Sequence, residues 1–289
     1  MMPVRKRVRN ASVPIASMLG AIAAGTWSTN AVANQPVPWQ TGLQDAASPV
    51  MENITGFWDL LFWLCVVIAS FVLILLVICM VRFNAKANPV PSKTTHNTFI
   101  EVAWTVVPIL LLVVIAIPSF RYLYYSDKAV DAEMTIKALG YQWYWGYEYP
   151  DHGNLTFEAT MKETKDLAEG ELRLLTTDEL LVVPVDTKIR LLVTGMDVIH
   201  AWAMPAFGVK LDAVPGRINE TWFQVNKPGT YYGQCSELCG SRHGFMPIMV
   251  KAVSKDDFAA WVEQAKKKYA SAKANPVSVA QAALPAPAN

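Results

Sequence analysis

Leu60-Leu-Phe-Trp-Leu-Cys65-Val-Val-Ile-Ala-Ser70-Phe-Val-Leu-Ile-Leu75-Leu-Val-Ile-Cys79-Met-Val81 is an uncharged run of about 22 residues, long enough as a helix to cross roughly 30 Å of hydrocarbon. Val102 to Phe120, about 19 residues, is a second such run. Together they predict a transmembrane hairpin over residues 60–120, with spans 60–81 and 102–120. The connector holds Arg82, Lys86 and Lys93 and no acid before Glu101, whereas the far ends carry Glu52, Asp59 and Asp127 beside Arg121 and Lys128. Basic connectors stay in the cytoplasm, so both ends of the hairpin are expected outside. Trp58, Trp63, Trp104, Tyr122 and Tyr124 flank the spans as interfacial anchors, which two core helices of a soluble protein would not need. Pro108 should loosen one backbone hydrogen bond of the second span, and Cys65 and Cys79 read as inert apolar filler.

Upstream, residues 1–33 have the form of a secretory signal. Arg5, Lys6, Arg7 and Arg9 precede a short apolar core, and Ala31-Val32-Ala33 is a small-residue cleavage site, which would make Asn34 the mature N-terminus. Residues 34–59 then form a periplasmic lead-in to the first span. The whole chain is 53% apolar and 17% charged, a balance that fits one part in lipid and another in water. A net charge of +1 argues against nucleic acid as a partner, and four cysteines are too few for a disulfide scaffold.

Downstream, from about residue 133, the hydrophobic period changes to two. Met134–Leu139, Leu155–Thr160, Leu180–Val185, Lys188–Thr194, Ile218–Val225 and Pro247–Val253 read as strands, separated by turns such as Asp151-His-Gly-Asn, Val214-Pro-Gly-Arg and Lys227-Pro-Gly-Thr. Short strands with such punctuation predict a periplasmic all-β sandwich or barrel over residues 121–269. Tyr141, Trp143, Trp145, Tyr147 and Tyr149 are assigned to one face of a strand and Tyr144 to the other. A C-terminal helix follows: Ser254 and Asp257 form a capping-box variant, and Phe258, Trp261, Val262, Ala265 and Tyr269 recur at helical spacing. Residues 270–289, rich in Ala and Pro, read as a disordered tail.

The chemistry concentrates in Cys235-Ser-Glu-Leu-Cys239-Gly-Ser-Arg-His243-Gly-Phe-Met246, with His200 upstream just after a strand. Thiolate, imidazole and thioether form a soft ligand set that favours copper; zinc rarely takes a thioether, and magnesium wants oxygen. A mononuclear blue-copper site needs one Cys, two His and a weak axial Met, so this set leaves one thiolate over and suggests a second metal. Three other readings stand beside this one: a short-loop disulfide between Cys235 and Cys239, a structural zinc site, and coincidental core residues. His96 and His152 read as solvated residues and not as ligands.

Gly233-Gln-Cys-Ser-Glu-Leu-Cys-Gly-Ser-Arg-His-Gly-Phe-Met246 resembles the CuA loop of cytochrome c oxidase subunit II. Val198 to Phe207 is similar to the segment bearing that family's first histidine, Gly140 to Glu148 to its aromatic segment, and His96 to Pro108 to the start of its second span. The resemblance implies a cupredoxin sandwich on a two-helix anchor in a bacterial inner membrane. It implies a dinuclear copper held by His200, Cys235, the Glu237 carbonyl, Cys239, His243 and Met246. It further implies that the Glu237 side chain faces a Mg site shared with subunit I, and that cytochrome c delivers its electron at Trp143. Glu148, Glu158, Asp178 and Asp197 match docking acids, and Glu101 matches the entrance of a proton path into subunit I. Heme and oxygen reduction, coupled to proton translocation, would belong to subunit I, with subunit III beside it. Read alone, the aromatic run is core packing, each acid is a solvated surface group, and Glu101 is a helix-start residue. Two rival functions remain: a quinol oxidase counterpart, with the same architecture but without these ligands, and, from another class, a membrane-tethered copper carrier or assembly protein, which would favour fewer ligands and an open site.

Overall fold

In the computed structural model, which describes residues 32–127 and 131–274, Ser48 starts the first long helix by accepting a 3.0 Å hydrogen bond from the Met51 N–H. Pro49 occupies the first helical turn, where its missing donor costs nothing, and Glu52 suits the positive end of the helix dipole. Helix α1 (Pro49–Arg82) is therefore longer than its apolar run, as is α2 (Thr98–Asp127), which keeps its helical course through Pro108 and Pro118. At 1.5 Å per residue these helices reach about 50 and 45 Å, so each projects beyond a hydrocarbon layer of about 30 Å. Cys65 and Cys79 are free and exposed on α1, and His96 is exposed in the connector.

The overrun is what joins the helices to the β domain. Ala47 N–H donates to the Ala206 carbonyl at 2.9 Å, Asn226 N–H to the Ala47 carbonyl at 2.9 Å, and the Ser48 hydroxyl to the Phe207 carbonyl at 2.7 Å. Gly208 (φ +69°) sits against this junction; a Cβ there would lie 2.7 Å from the Ile54 Cδ1 and 3.1 Å from the Met51 Cα. At the other helix, the Trp222 indole N–H donates to the Tyr125 carbonyl at 2.9 Å and the Thr221 hydroxyl to that of Ser126 at 3.3 Å. These bonds occupy carbonyls that a helix C-terminus leaves without partners.

The described residues form eleven strands, one before the helices and ten after them: β1 (Val32–Asn34), β2 (Met134–Tyr141), β3 (Tyr144–Tyr149), β4 (Leu155–Ala159), β5 (Leu181–Pro184), β6 (Ile189–Gly195), β7 (His200–Met204), β8 (Val209–Ala213), β9 (Asn219–Phe223), β10 (Gly229–Gln234) and β11 (Pro247–Val253). One sheet runs β4-β3-β2-β6-β9, a second runs β1-β10-β11-β5, and β7 pairs with β8. Strands β2 and β6 run parallel with Ile136 opposite Leu191 and Ala138 opposite Val193, all four completely buried, while their alternate residues are half-exposed. Trp145, Tyr147, Tyr149, Trp202, Phe207 and Phe223 fill the space between the sheets.

Helix α3 (Lys255–Ala274) closes one side of the sandwich. Ser254 and Asp257 make the expected cap, with the Asp257 N–H donating to the Ser254 Oγ at 3.1 Å and the Ser254 hydroxyl to the Asp257 carboxylate at 2.7 Å. Phe258, Val262 and Ala265 are buried, and the Tyr269 ring stacks on Phe157 at 5.0 Å.

Several expectations change. The expected tail start is wrong by several residues, because α3 continues to Ala274; residues 275–289 lie outside the described residues. Most of the expected signal, 1–31, also lies outside them, and its last two residues belong to β1, which pairs parallel with Gly229–Tyr231. The aromatic run is not one strand: β2 ends at Tyr141, a turn holds Gln142 and Trp143, and β3 begins at Tyr144. That break resets the alternation, so Tyr141 stacks on Tyr144 (4.7 Å, 4°) while Trp145, Tyr147 and Tyr149 enter the core. His152 is half-buried, its ring edge-on to Phe258 at 5.3 Å, and is not the solvated turn residue expected.

Candidate metal centre

The Gly233 position brings the two halves of the site together. A Cβ there would fall 2.0 Å from the Ala203 carbonyl oxygen, so only glycine lets β10 press this closely on β7. His200 is the first residue of β7, not a residue following a strand, and Cys235 follows directly on β10. The Ser236 N–H donates to the Ala201 carbonyl at 3.0 Å, which ties the Cys235–Met246 loop to β7. Gly240 (φ +122°) and a short turn at His243–Phe245 fold the loop back on itself.

The result is a compact cluster. The Cys235 and Cys239 Sγ atoms lie 3.8 Å apart, and the Glu237 carbonyl oxygen is 3.4 Å from the Cys235 Sγ. Cys239 Sγ is 3.5 Å from His243 Nδ1 and 3.5 Å from Met246 Sδ. The ligand atoms of His200, Cys235 and Cys239 lie within 4.8 Å of one another. His200 is fully buried, and Cys235, Cys239 and Met246 are at most 3% exposed. All six expected ligand residues therefore converge on one small volume.

Two observations test whether these groups suit a metal. The His200 Nδ1 is buried with no hydrogen bond of good geometry and lies towards the Cys235 thiol, an arrangement that suits a lone pair shared with a metal ion. Both thiols are free, and a thioether stands beside them, which fits copper better than zinc. The site's own electrostatics help: burial opposes the Cys235 thiolate, but His200, the Ala201 and Glu237 backbone and His243 together hold its pKa below the usual thiol range. Burial and then the charge on Cys235 push Cys239 up, as expected when two thiols share one site.

Around the candidate ligands stands a set of supporting residues that sequence reasoning missed or cast differently. The Asp197 Oδ1 lies 2.8 Å from the His200 Nε2, so this carboxylate fixes the ring and leaves Nδ1 to face the thiols. Burial raises the Asp197 pKa, but hydrogen bonds from His200 and from the Val198 and Gln142 N–H groups outweigh it and hold the pKa low. Gly140 provides the flat wall for the ring, since a Cβ there would meet His200 Cδ2 at 2.8 Å. Trp143, in the β2–β3 turn, is half-buried against the Cys235–Met246 loop, donating from its indole N–H to the Cys239 carbonyl at 3.2 Å, and Gln142 donates to that carbonyl at 2.8 Å. Asp197→Asn, which weakens the acceptor facing His200, is expected to reduce copper affinity about 10- to 100-fold in competition with a chelator; an unchanged affinity would reduce Asp197 to a surface acid.

The remaining candidates are dispersed. Glu148 is paired with Lys137 at 3.1 Å, and Asp178 is engaged with Thr160, accepting from its N–H at 2.7 Å. Glu158 is exposed beside the Tyr144 hydroxyl at 3.5 Å. Glu101 lies in the first turn of α2, far along the chain from the cluster, and the half-buried Glu237 carboxylate makes no ion pair among the described residues.

Residues 134–253 match the family model described as cytochrome c oxidase subunit II, periplasmic domain, and residues 36–122 match that of the transmembrane domain. The chain belongs to the cytochrome c oxidase subunit II family. It is 50% identical over 241 residues to a probable cytochrome c oxidase subunit 2 of Rickettsia bellii, covering 83% of this chain and 90% of that one. It is 52% identical over 235 residues to the corresponding protein of Rickettsia prowazekii, covering 81% and 75%. Among solved structures it is similar to the periplasmic domain of subunit II of cytochrome oxidase of Bradyrhizobium japonicum, at 56% identity and a TM-score of 0.46, covering 48% of this chain and 98% of that one. Cytochrome c oxidase subunit II is the CuA-containing subunit of its complex, so the His/Cys/Cys cluster is consistent with a copper site, and other oxidase subunits are implied. As subunit II, the chain is a membrane protein with two apolar helices and a periplasmic β-sandwich.

Proposed function

We propose that this chain accepts electrons from cytochrome c at a dinuclear copper held by His200, Cys235, the Glu237 carbonyl, Cys239, His243 and Met246, for delivery to heme in subunit I. The observation that carries the reading is the pair of free, buried thiols 3.8 Å apart, each with further soft or imidazole donors at hand. Two coppers bridged by these thiolates would share an added electron and change their bond lengths little, which suits fast transfer at small driving force. The protein's part is to keep the six donors rigid: the β7–β10 contact through Gly233 and the Asp197 bond to His200 support that role. Burial of the cluster supports a relay with no open position for substrate. Electron paramagnetic resonance of the copper-reconstituted chain is the test. Hyperfine splitting from two equivalent nuclei is expected; a single-copper pattern would refute the relay and favour a carrier.

The same reading assigns the periphery. Trp143, lying against the copper loop, is the point of electron uptake. Glu148, Glu158, Asp178 and Asp197 contribute to an acidic dock for the lysine-rich face of cytochrome c, and this predicts an association rate that falls steeply with ionic strength. A flat salt profile would remove the docking role. The unpaired Glu237 carboxylate suits a Mg ion at the boundary with subunit I. Glu101 would collect protons at the cytoplasmic surface, so Glu101→Ala should lower turnover while leaving copper content unchanged; undiminished turnover would leave it a helix-start residue. Heme and oxygen reduction, coupled to proton translocation, belong to the partner subunit I, with subunit III beside it. The chain sits in the bacterial inner membrane with both ends outside, after removal of a signal over 1–33, and the basic connector supports that orientation.

A further inference from the structure

Gln142 belongs to no ligand set, yet it touches both halves of the site. Its side-chain amide donates to the Cys239 carbonyl at 2.8 Å, across 97 positions of sequence, and its main-chain N–H donates to the Asp197 Oδ2 at 2.7 Å, across 55. The other oxygen of Asp197 holds the His200 ring. A continuous hydrogen-bonded path thus runs from His200 through Asp197 and Gln142 to Cys239, joining the ligand on β7 to a ligand in the loop. The neighbouring Trp143 indole donates to the same Cys239 carbonyl. Gly240 makes the approach possible, because a Cβ there would lie 3.0 Å from Trp143 Cζ2 and 3.1 Å from the Gln142 Nε2.

We infer that Gln142 is a positioning residue for the proposed copper relay, whose two N–H groups lock the Cys239 loop, the Trp143 indole and the Asp197–His200 pair into one register. The role requires a donor at the end of the side chain, and it is not a packing role, because Gln142 is exposed. Glutamate has the same shape but, ionised, offers only acceptors, so Gln142→Glu would set a carboxylate oxygen against a carbonyl oxygen. Gln142→Met removes the donor without adding charge.

The inference rests on the copper reading, and two measurements keep the two apart. In the purified, copper-loaded oxidase, extraction of copper from this site by a Cu(I) chelator should be roughly fivefold faster for Gln142→Met, the equivalent of one net hydrogen bond, and faster still for Gln142→Glu. In the metal-free full chain, Cys239 should be alkylated by iodoacetamide severalfold faster in Gln142→Met than in the wild type, with the thermal midpoint lowered by no more than a few degrees. Wild-type behaviour of both variants in both measurements would overturn the inference. If the wild type lacks the two-copper signature, the relay falls, and the alkylation rates still decide whether Gln142 holds the loop.

Discussion

Cys239→Ser is expected to convert the site from two metals to one. The Cys239 Sγ lies 3.8 Å from the Cys235 Sγ, 3.5 Å from His243 Nδ1 and 3.5 Å from Met246 Sδ, so it touches three other donors of the cluster. A serine hydroxyl is harder and stays protonated at neutral pH, and it cannot bridge soft metal ions as a thiolate does. What remains is one thiolate, two imidazoles and a thioether, the complement of a mononuclear blue-copper centre. Metal analysis should find one copper per chain where the wild type holds two, and the hyperfine pattern should become that of a single nucleus. Electron uptake from cytochrome c should fall by more than about 100-fold, since the loss exceeds what removal of a supporting residue produces. The fold should persist, because the change removes little volume and at worst leaves one buried hydroxyl without a partner, a cost of about 1–3 kcal/mol. Retention of two coppers in the variant would show that Cys239 is not a bridge.

What could be read from the sequence follows the distance over which each feature is encoded. Five of the six donor residues lie within one twelve-residue stretch, Cys235 to Met246, so local composition exposes them. The Ser254–Asp257 cap and the membrane spans are likewise local. Strand β7 is invisible because all five of its residues are buried, which leaves no alternation to detect; its partner β8, Val-Lys-Leu-Asp-Ala, does alternate, but is only five residues long. The outer turns of α1 are polar enough to pass for a loop, and they are helical because Ser48 and Ala47 are bonded to residues 206 and 207. Asp197 reads as a surface acid until β7 carries His200 onto it, and Gln142 reads as nothing at all until Cys239 arrives from far along the chain. The supporting residues of a metal site are encoded in tertiary contacts, whereas ligand identity is encoded in residue type.

Trp143→Phe should separate electron transfer from metal binding. The Trp143 indole reaches the cluster by one directed contact, its N–H to the Cys239 carbonyl at 3.2 Å, and by packing on Gly240. Phenylalanine keeps an apolar ring in the turn but loses the donor and the larger π system. The hydrogen bond contributes about 1 kcal/mol to stability, and Gln142 still holds the carbonyl, so copper content, hyperfine pattern and thermal midpoint should change little. Electron uptake from cytochrome c should nevertheless slow by at least about tenfold, or about 1.4 kcal/mol of barrier, with the donor's KM nearly constant because the acidic surface is untouched. A coupled fall in copper content and rate would mean that Trp143 acts by shaping the loop. A normal rate with a normal spectrum would mean that electrons reach the copper by another route, and the most exposed apolar residue of the loop, Leu238, would then be the side chain to replace next.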